Sequence, residues 1–271
     1  EGMAGSDTIN GYIDTALESE DLAAVVLRVN SPGGSVFASD LIRRKLLEVA
    51  DADIPIVVSM GTVAASGGYW IAAEADEIWA LPTTLTGSIG AFSAFPTIEG
   101  IVEYIGVTVD GVGTTPLAGA ASFNRGLSPE MASIVQALAY GAYDDFIELV
   151  ASGRDMRELA VRDVADGLVW TGAEAVERGL VDELGGLDEA VEAAARLAGV
   201  EDWRTARTRV PPSFESVLLQ ELTRSFGLVS APLGGWFDSL VSAFQPAIKS
   251  LSSLRDPMHV YAQCLICAPL L

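Results

Sequence analysis

Near-continuous apolar runs alternate with stretches of helical periodicity over the first eighty residues. "LAAVVLRVN" (22–30) is a nearly continuous run rich in β-branched residues, read as a strand buried on both sides. "SPGGS" (31–35) reads as a turn by composition. From Val36 to Val49 the apolar positions Val36, Leu41, Ile42, Leu46 and Val49 share one helical face, with Asp40, Arg43, Arg44, Lys45 and Glu48 mostly opposite. "IPIVVSM" (54–60) repeats the buried-strand pattern, "AASGGYWIAAEA" (64–75) opens a helix, and "DEIWALP" (76–82) supplies a third short strand. Strand, helix, strand, helix, strand predicts a largely parallel α/β sheet with right-handed crossovers.

Beyond it, "TLTGSIGAF" (84–92) reads as a loop, residues 97–106 as a short helix and "VTVDGVG" (107–113) as strand-like. Ser128 and Pro129 have the chemistry of an N-cap and first helical position, and predict a long helix reaching Gly153. Residues 155–167, 171–186 and 187–200 read as short helices separated by glycines. After Val200 the texture changes, with Pro211, Pro212, Pro232, Pro246 and Pro257 interrupting amphipathic pieces. The expected organisation is an α/β domain of stacked strand-helix repeats over residues 1–200, followed by a helical arm over 201–271 that is not part of the sheet.

Composition narrows the function classes. A chain of 271 residues, half of them hydrophobic, affords a sizeable core. The formal net charge of −21 argues against nucleic acid, whose phosphates would be repelled, and is read as a solubility margin. The opening "EGMAGSDTINGY" is loop-like, with neither the basic nor the apolar region of a signal peptide. No run of eighteen apolar residues offers a membrane span, and the chain reads as a fragment or a processed piece. Cys264 and Cys267, in "CLIC", fall short of a tetrahedral metal set even with His259, and are read as an inert thiol pair or an adventitious disulfide in preference to a redox or metal site.

The candidate chemistry centres on "GTVAASGGYW" (61–70), where one hydroxyl, Ser66, lies between two alanines and two glycines. A tightly packed strand-to-helix turn would account for the small residues. A nucleophile needing access would account for them too. A-A-S-G-G resembles a nucleophile elbow with Ala64 in place of the first glycine, a weak match taken alone. "SPGG", after the preceding parallel strand, could aim amides at the same crevice, so that the Gly34 and Gly67 N–H groups form an oxyanion hole. The proton acceptor is the missing element. His259 falls in the arm, Lys45 lies on the charged face of its helix, and Lys249 is in the arm. None reads as the desolvated, neutral base that a serine needs near neutral pH.

"VVLRVNSPGGSVFASDLIRR", "VVSMGTVAASGGYWIAAEAD" and "TLTGSIGAF" resemble the signature blocks of the signal peptide peptidase A family, membrane-associated Ser-Lys proteases with a ClpP/crotonase-like fold. The likeness continues through "DGVGTTPLAG", "GLVWTGAEAVERGLVDELGGLDEAV" and the terminal "YAQCLICA", and is to the C-terminal half of the long, two-domain form. It implies Ser66 as nucleophile, the amides of Gly34 and Gly67 as oxyanion donors, and Ser88 as the hydroxyl that orients the lysine. In short members the lysine lies in the segment that reads "GVGTTPLAG" here, which has none, with Pro116 near its place. The resemblance therefore implies a lysine from a missing N-terminal half, together with a missing first strand. It also implies no cofactor, peptide substrates such as signal-peptide remnants, a homo-oligomer, and a position on the periplasmic side of the bacterial inner membrane with the anchor outside this chain. Two alternatives remain open: a non-catalytic assembly half, and a crotonase-type acyl-CoA enzyme, which would need acid/base carboxylates where Glu74 and Asp76 read as a solvated helix end.

Overall fold

Ile56–Ala65 forms one ten-residue strand with every residue but Thr62 buried, as its largely apolar sequence requires. The computed structural model describes residues 4–115, 117–120, 122–208, 256 and 260–263. In chain order the elements are α1 (Ser6–Leu17), β1 (Val25–Ser31), β2 (Gly33–Ser35), α2 (Val36–Ala50), β3 (Ile56–Ala65), α3 (Gly67–Ala72), β4 (Glu77–Ala80), β5 (Leu85–Gly87), β6 (Phe92–Ser93), α4 (Glu99–Tyr104), α5 (Pro129–Gly153), α6 (Glu158–Val164), β7 (Val169–Thr171), α7 (Gly172–Glu177), β8 (Glu183–Leu184), α8 (Leu187–Leu197) and β9 (Val260–Gln263).

β3 organises the sheet. One edge pairs with β1 in parallel, while the other pairs first with β4 at Val57–Ser59 and then with β5 at Val63–Ala65, both parallel. β8 extends the sheet beyond β4 in parallel, and β7 closes the other end antiparallel to β5. The fold is α/β with a mixed, mostly parallel sheet, and the predicted strand-helix alternation from β1 to β4 is present. Side chains of β3 alternate between faces. Ile56, Val58, Met60 and Ala64 pack with α1, α2, α3, α5 and α6, where Ile13, Ile42, Leu46, Phe146 and Val150 complete the main core. Val57 packs against Ala190 and Ala194 of α8 on the opposite face.

Several expectations are corrected. The loop-like N-terminus is a helix, because Ile9, Ile13 and Leu17 fall on one face and pack into the main core despite the intervening polar residues and Gly11. The "TLTGSIGAF" loop contains β5 and the start of β6, and the expected helical stretch 171–186 begins at the end of β7 and contains β8 as well as α7. Residues 107–113 form no strand. The "SPGGS" turn contains β2, which pairs antiparallel with β9, Gly34 opposite Ala262. β9 itself was expected within a helical arm outside the sheets, yet it lies between β2 and β6 in a second, three-stranded sheet. Backbone pairing with a distant segment leaves no periodic signature in so short a stretch, hence the error. The rest of the expected arm from 209 onward, apart from Asp256, lies outside the described residues.

Candidate active site

Ser66 terminates β3 and immediately precedes α3, with φ 53° and ψ −117°. A non-glycine residue in that region is strained by ~1–3 kcal/mol and persists only where its surroundings fix it. They do so here. The Ser66 N–H donates to the Gly87 carbonyl (2.8 Å), and the Ser66 carbonyl accepts from Trp70 N–H (2.8 Å). One turn on, the Tyr69 hydroxyl donates to the Leu180 carbonyl (2.7 Å), anchoring α3 in the core. Burial pushes the Tyr69 phenol well above its ordinary range, so it stays a neutral donor. Ser66 itself is 1% exposed, and its Oγ has no hydrogen-bond partner among the described residues. A buried hydroxyl left unbonded costs free energy and calls for an explanation.

β2 brings Gly33 and Gly34 over the start of α3. A Cβ built on Gly33, whose φ is +100°, would lie 2.7 Å from the Gly67 nitrogen and 2.1 Å from the Ala262 carbonyl oxygen. One built on Gly67 would lie 3.2 Å from the Gly34 nitrogen and 2.7 Å from Ser39 Oγ. Both glycines are therefore demanded by close approach of backbones. The same contact brings the Gly34 nitrogen against Gly67, the residue that follows Ser66. Ser39 took no part in the sequence-based prediction; it is buried, and its hydroxyl donates to the Ser35 carbonyl (3.0 Å).

Ser88 comes next to Ser66 through register. Ala65 pairs with Gly87, so the two serines follow paired positions on adjacent parallel strands. Ser88 also has positive φ (50°), is 5% exposed, and donates its N–H to the Leu168 carbonyl (2.7 Å). Thr86, fully buried, locks β5 onto β3 by donating its hydroxyl to the Ala64 carbonyl (2.7 Å). Gly34, the adjacent pair Ser66–Gly67, and Ser88 are thus brought together from three stretches of chain.

No base joins them among the described residues. Lys45 Nζ pairs with Asp14 and Glu48, each at 2.6 Å. Those carboxylates, Asp14 foremost, hold its pKa above the ordinary lysine value, so the amine is charged at neutral pH. Lys249, His259, Pro116, Cys264 and Cys267 lie outside the described residues. The two carboxylates weighed for acyl-CoA chemistry have other partners: Glu74 pairs with Arg43 (2.6 Å), and Asp76 accepts from Ile56 N–H (2.7 Å). Asp76 thus ties the chain to β3 and does not cap a solvated helix end.

A cavity of about 660 Å³ lies beside α2 and α5, with Arg43, Trp70, Glu148 and Asp256 in its wall and none of Ser66, Gly34, Gly67 or Ser88. The candidate chemistry is outside it. Groups of acidic, histidine or cysteine side chains that could hold a metal are absent among the described residues. What the cluster can do is acyl transfer: one hydroxyl at a strained turn, two amide donors beside it, and a second hydroxyl within reach of the same crevice.

Residues 48–201 match the model for peptidase family S49. The chain is 41% identical over 273 residues to Protease 4 of Salmonella typhi, an alignment that takes in 98% of this chain and 44% of that protein. It is 37% identical over 251 residues to the chloroplastic serine protease SPPA of Arabidopsis thaliana, taking in 92% of this chain and 34% of that one. The chain therefore spans less than half the length of these relatives. Among solved structures, a ClpP1 mutant from Listeria monocytogenes superposes with a TM-score of 0.46 at 16% identity, covering 69% of this chain and 86% of the other.

Proposed function

The chain belongs to peptidase family S49, and from that premise we propose that it is the nucleophile-bearing part of a serine endopeptidase acting on apolar peptide segments. The observation that carries this reading is Ser66 Oγ, buried and unbonded at a strained strand-to-helix turn beside the Gly34 and Gly67 amides. In the reaction, Ser66 Oγ attacks the scissile carbonyl and loses its proton to a base. The two amides receive the developing oxyanion, and the base returns the proton to the leaving amine. Water then hydrolyses the acyl ester by the reverse proton path, restoring Ser66. No cofactor takes part.

The base in this reading is a neutral lysine contributed by a part of the protein outside this chain, and Ser88 orients it. The ion-paired state of Lys45 and the short span relative to Protease 4 both support that division of labour. Residues 1–200 are the peptidase domain. The substrates are signal-peptide remnants, and the whole protein works as a homo-oligomer on the periplasmic side of the bacterial inner membrane, through an anchor elsewhere. Among the described residues no helix is long and apolar enough to cross a membrane. A second reading, a non-catalytic assembly half, is favoured by the absence of a free amine among the described residues.

The deciding experiment uses the full-length protein. Ser66→Ala should abolish cleavage of an apolar peptide and stop labelling by a fluorophosphonate, with the melting temperature little changed, because one oxygen is removed from a site that already accommodates the backbone. Activity within tenfold of wild type would overturn the assignment.

A further inference from the structure

β2 is an unusual support for a reactive site. Gly33 and Gly34 have no side chains to hold them, and glycine has more backbone freedom to lose than any other residue. Something else must keep their amides in place. Part of the answer is β9, paired along the whole of β2 from Gly33 opposite Gln263 to Ser35 opposite Tyr261.

The other part is Asp256, which is 2% exposed. Its Oδ2 accepts from the Ser35 hydroxyl at 2.5 Å and from Phe37 N–H at 3.2 Å, while Oδ1 accepts from Val260 N–H at 3.2 Å. Ser35 Oγ meanwhile accepts from Ala38 N–H (3.0 Å), so this hydroxyl both caps α2 and reaches the carboxylate. Asp256 N–H donates to the Tyr261 hydroxyl (3.3 Å), and the Tyr261 ring packs against Phe92 of β6 with centroids 5.8 Å apart. One carboxylate therefore ties the end of β2, the first turn of α2 and the start of β9 to each other, across 221 positions of sequence between Ser35 and Asp256.

Capping alone would not require this arrangement. Ser35 already caps α2, and burying a carboxylate is costly unless several donors compensate it. The donors here come from two pieces of chain far apart in sequence, residues 35–37 and Val260, and meet at the end of the strand that brings the Gly34 nitrogen against Gly67. We propose that Asp256 is a positioning residue for the oxyanion strand: its carboxylate fixes Gly33–Ser35 over α3, so that the Gly34 and Gly67 amides stay converged. The inference rests on the reading of Ser66 as nucleophile, and it gives the C-terminal segment a part in catalysis that touches no substrate.

The test compares wild type, Asp256→Asn and Ser35→Ala in the full-length protein, with turnover expressed per Ser66 titrated by a fluorophosphonate. Asn offers one acceptor oxygen where three donors arrive at two. It should lower kcat by ~10²-fold, the scale of a misplaced or lost oxyanion donor, while KM stays within about threefold. Ser35→Ala leaves the carboxylate in place and should shift kcat in the same direction by less, which keeps the idea testable if Asp256→Asn folds poorly. Hydrogen exchange should accelerate at residues 33–37 in both variants and stay slow in β3, whether or not the protein turns over substrate. A kcat per titrated site within threefold of wild type in both variants overturns the proposal and leaves the Ser66 assignment standing. Unchanged exchange at 33–37 overturns it as well, independently of any activity. Failure of the Ser66 assignment is recognised separately, by absence of labelling at Ser66 in wild type.

Discussion

At the scale of single residues, the site is built from positions that break local rules. Ser66 and Ser88 both have positive φ, where a side chain is disfavoured, and each follows one member of the Ala65–Gly87 pair. Two strained serines at matching positions on adjacent strands make sense if both hydroxyls serve one crevice. On that account Ser88 holds the incoming lysine in line with Ser66. Ser88→Ala should then lower kcat by ~10²-fold with KM nearly unchanged, because a base outside hydrogen-bond reach loses its geometry. Steady-state kinetics on the full-length variant would check this, and an unchanged rate would return Ser88 to an ordinary loop residue. Gly33 and Gly67 were legible as small residues, but which backbone they make room for was not. The Ala262 carbonyl, beside both, comes from the far end of the chain.

At the scale of elements, local signals were read best where a helix carries its own start signal. Ser128 caps α5 as predicted, accepting from Met131 N–H (3.2 Å), with Pro129 opening the helix. α7 has the fuller device, a capping box in which Thr171 Oγ1 accepts from Glu174 N–H and Glu174 accepts from Thr171 N–H. This box lies where β7 leaves the sheet edge beside β5, so it steadies the strand next to Ser88. Thr171→Ala should cost about 1 kcal/mol in urea unfolding at neutral pH. Its pH dependence has a defined sign. The Thr171 N–H, and then the Thr171 hydroxyl, hold the Glu174 carboxyl below its ordinary value near 4.5. The contribution is therefore present above that value and fades as pH falls through the lower folded one. The gap between wild type and Thr171→Ala should narrow in acid, and a gap that stayed constant well below the carboxylate range would count against the box.

At the scale of the whole molecule, the question is where the proton goes. Lys45 is held charged by Asp14 and Glu48, in an ion-paired clamp between α1 and α2. An unassisted serine hydroxyl is a poor nucleophile, and general-base help is worth typically ~10² to 10⁴-fold. The 271-residue chain alone should hydrolyse peptide negligibly near neutral pH, and adding the separately expressed remainder of the protein should restore cleavage. Changing that part's candidate lysine to alanine should abolish the gain. Robust turnover by the chain alone, surviving Lys45→Ala and Lys249→Ala, would show that the base is within it. The acidic balance, net −21, bears on partners at this scale and leaves the fold untouched.

The sequence by itself determined the central strand-helix alternation, because each unit from β1 to β4 carries its own period and burial pattern over enough residues to be read. It also singled out Ser66, with Gly34 and Gly67, as candidates, since small residues around a lone hydroxyl are visible without coordinates, whereas Ser88 was singled out only by the family resemblance. The neighbours on its helix marked Lys45 as charged, but not as the 17% exposed side chain that Asp14 of α1 covers and pairs with. The tertiary structure alone decided the rest. β2, β5, β7 and β9 are three or four residues long, too short for a period, and exist because a partner strand supplies hydrogen bonds their own sequence cannot. β9 overturned the expectation of a purely helical arm for that reason. The strain at Ser66, the contact of Gly67 with the Gly34 amide, and the grip of Asp256 on Ser35 are all products of long-range packing. Such contacts depend on which distant atoms arrive, and nothing in a local stretch of chain records that.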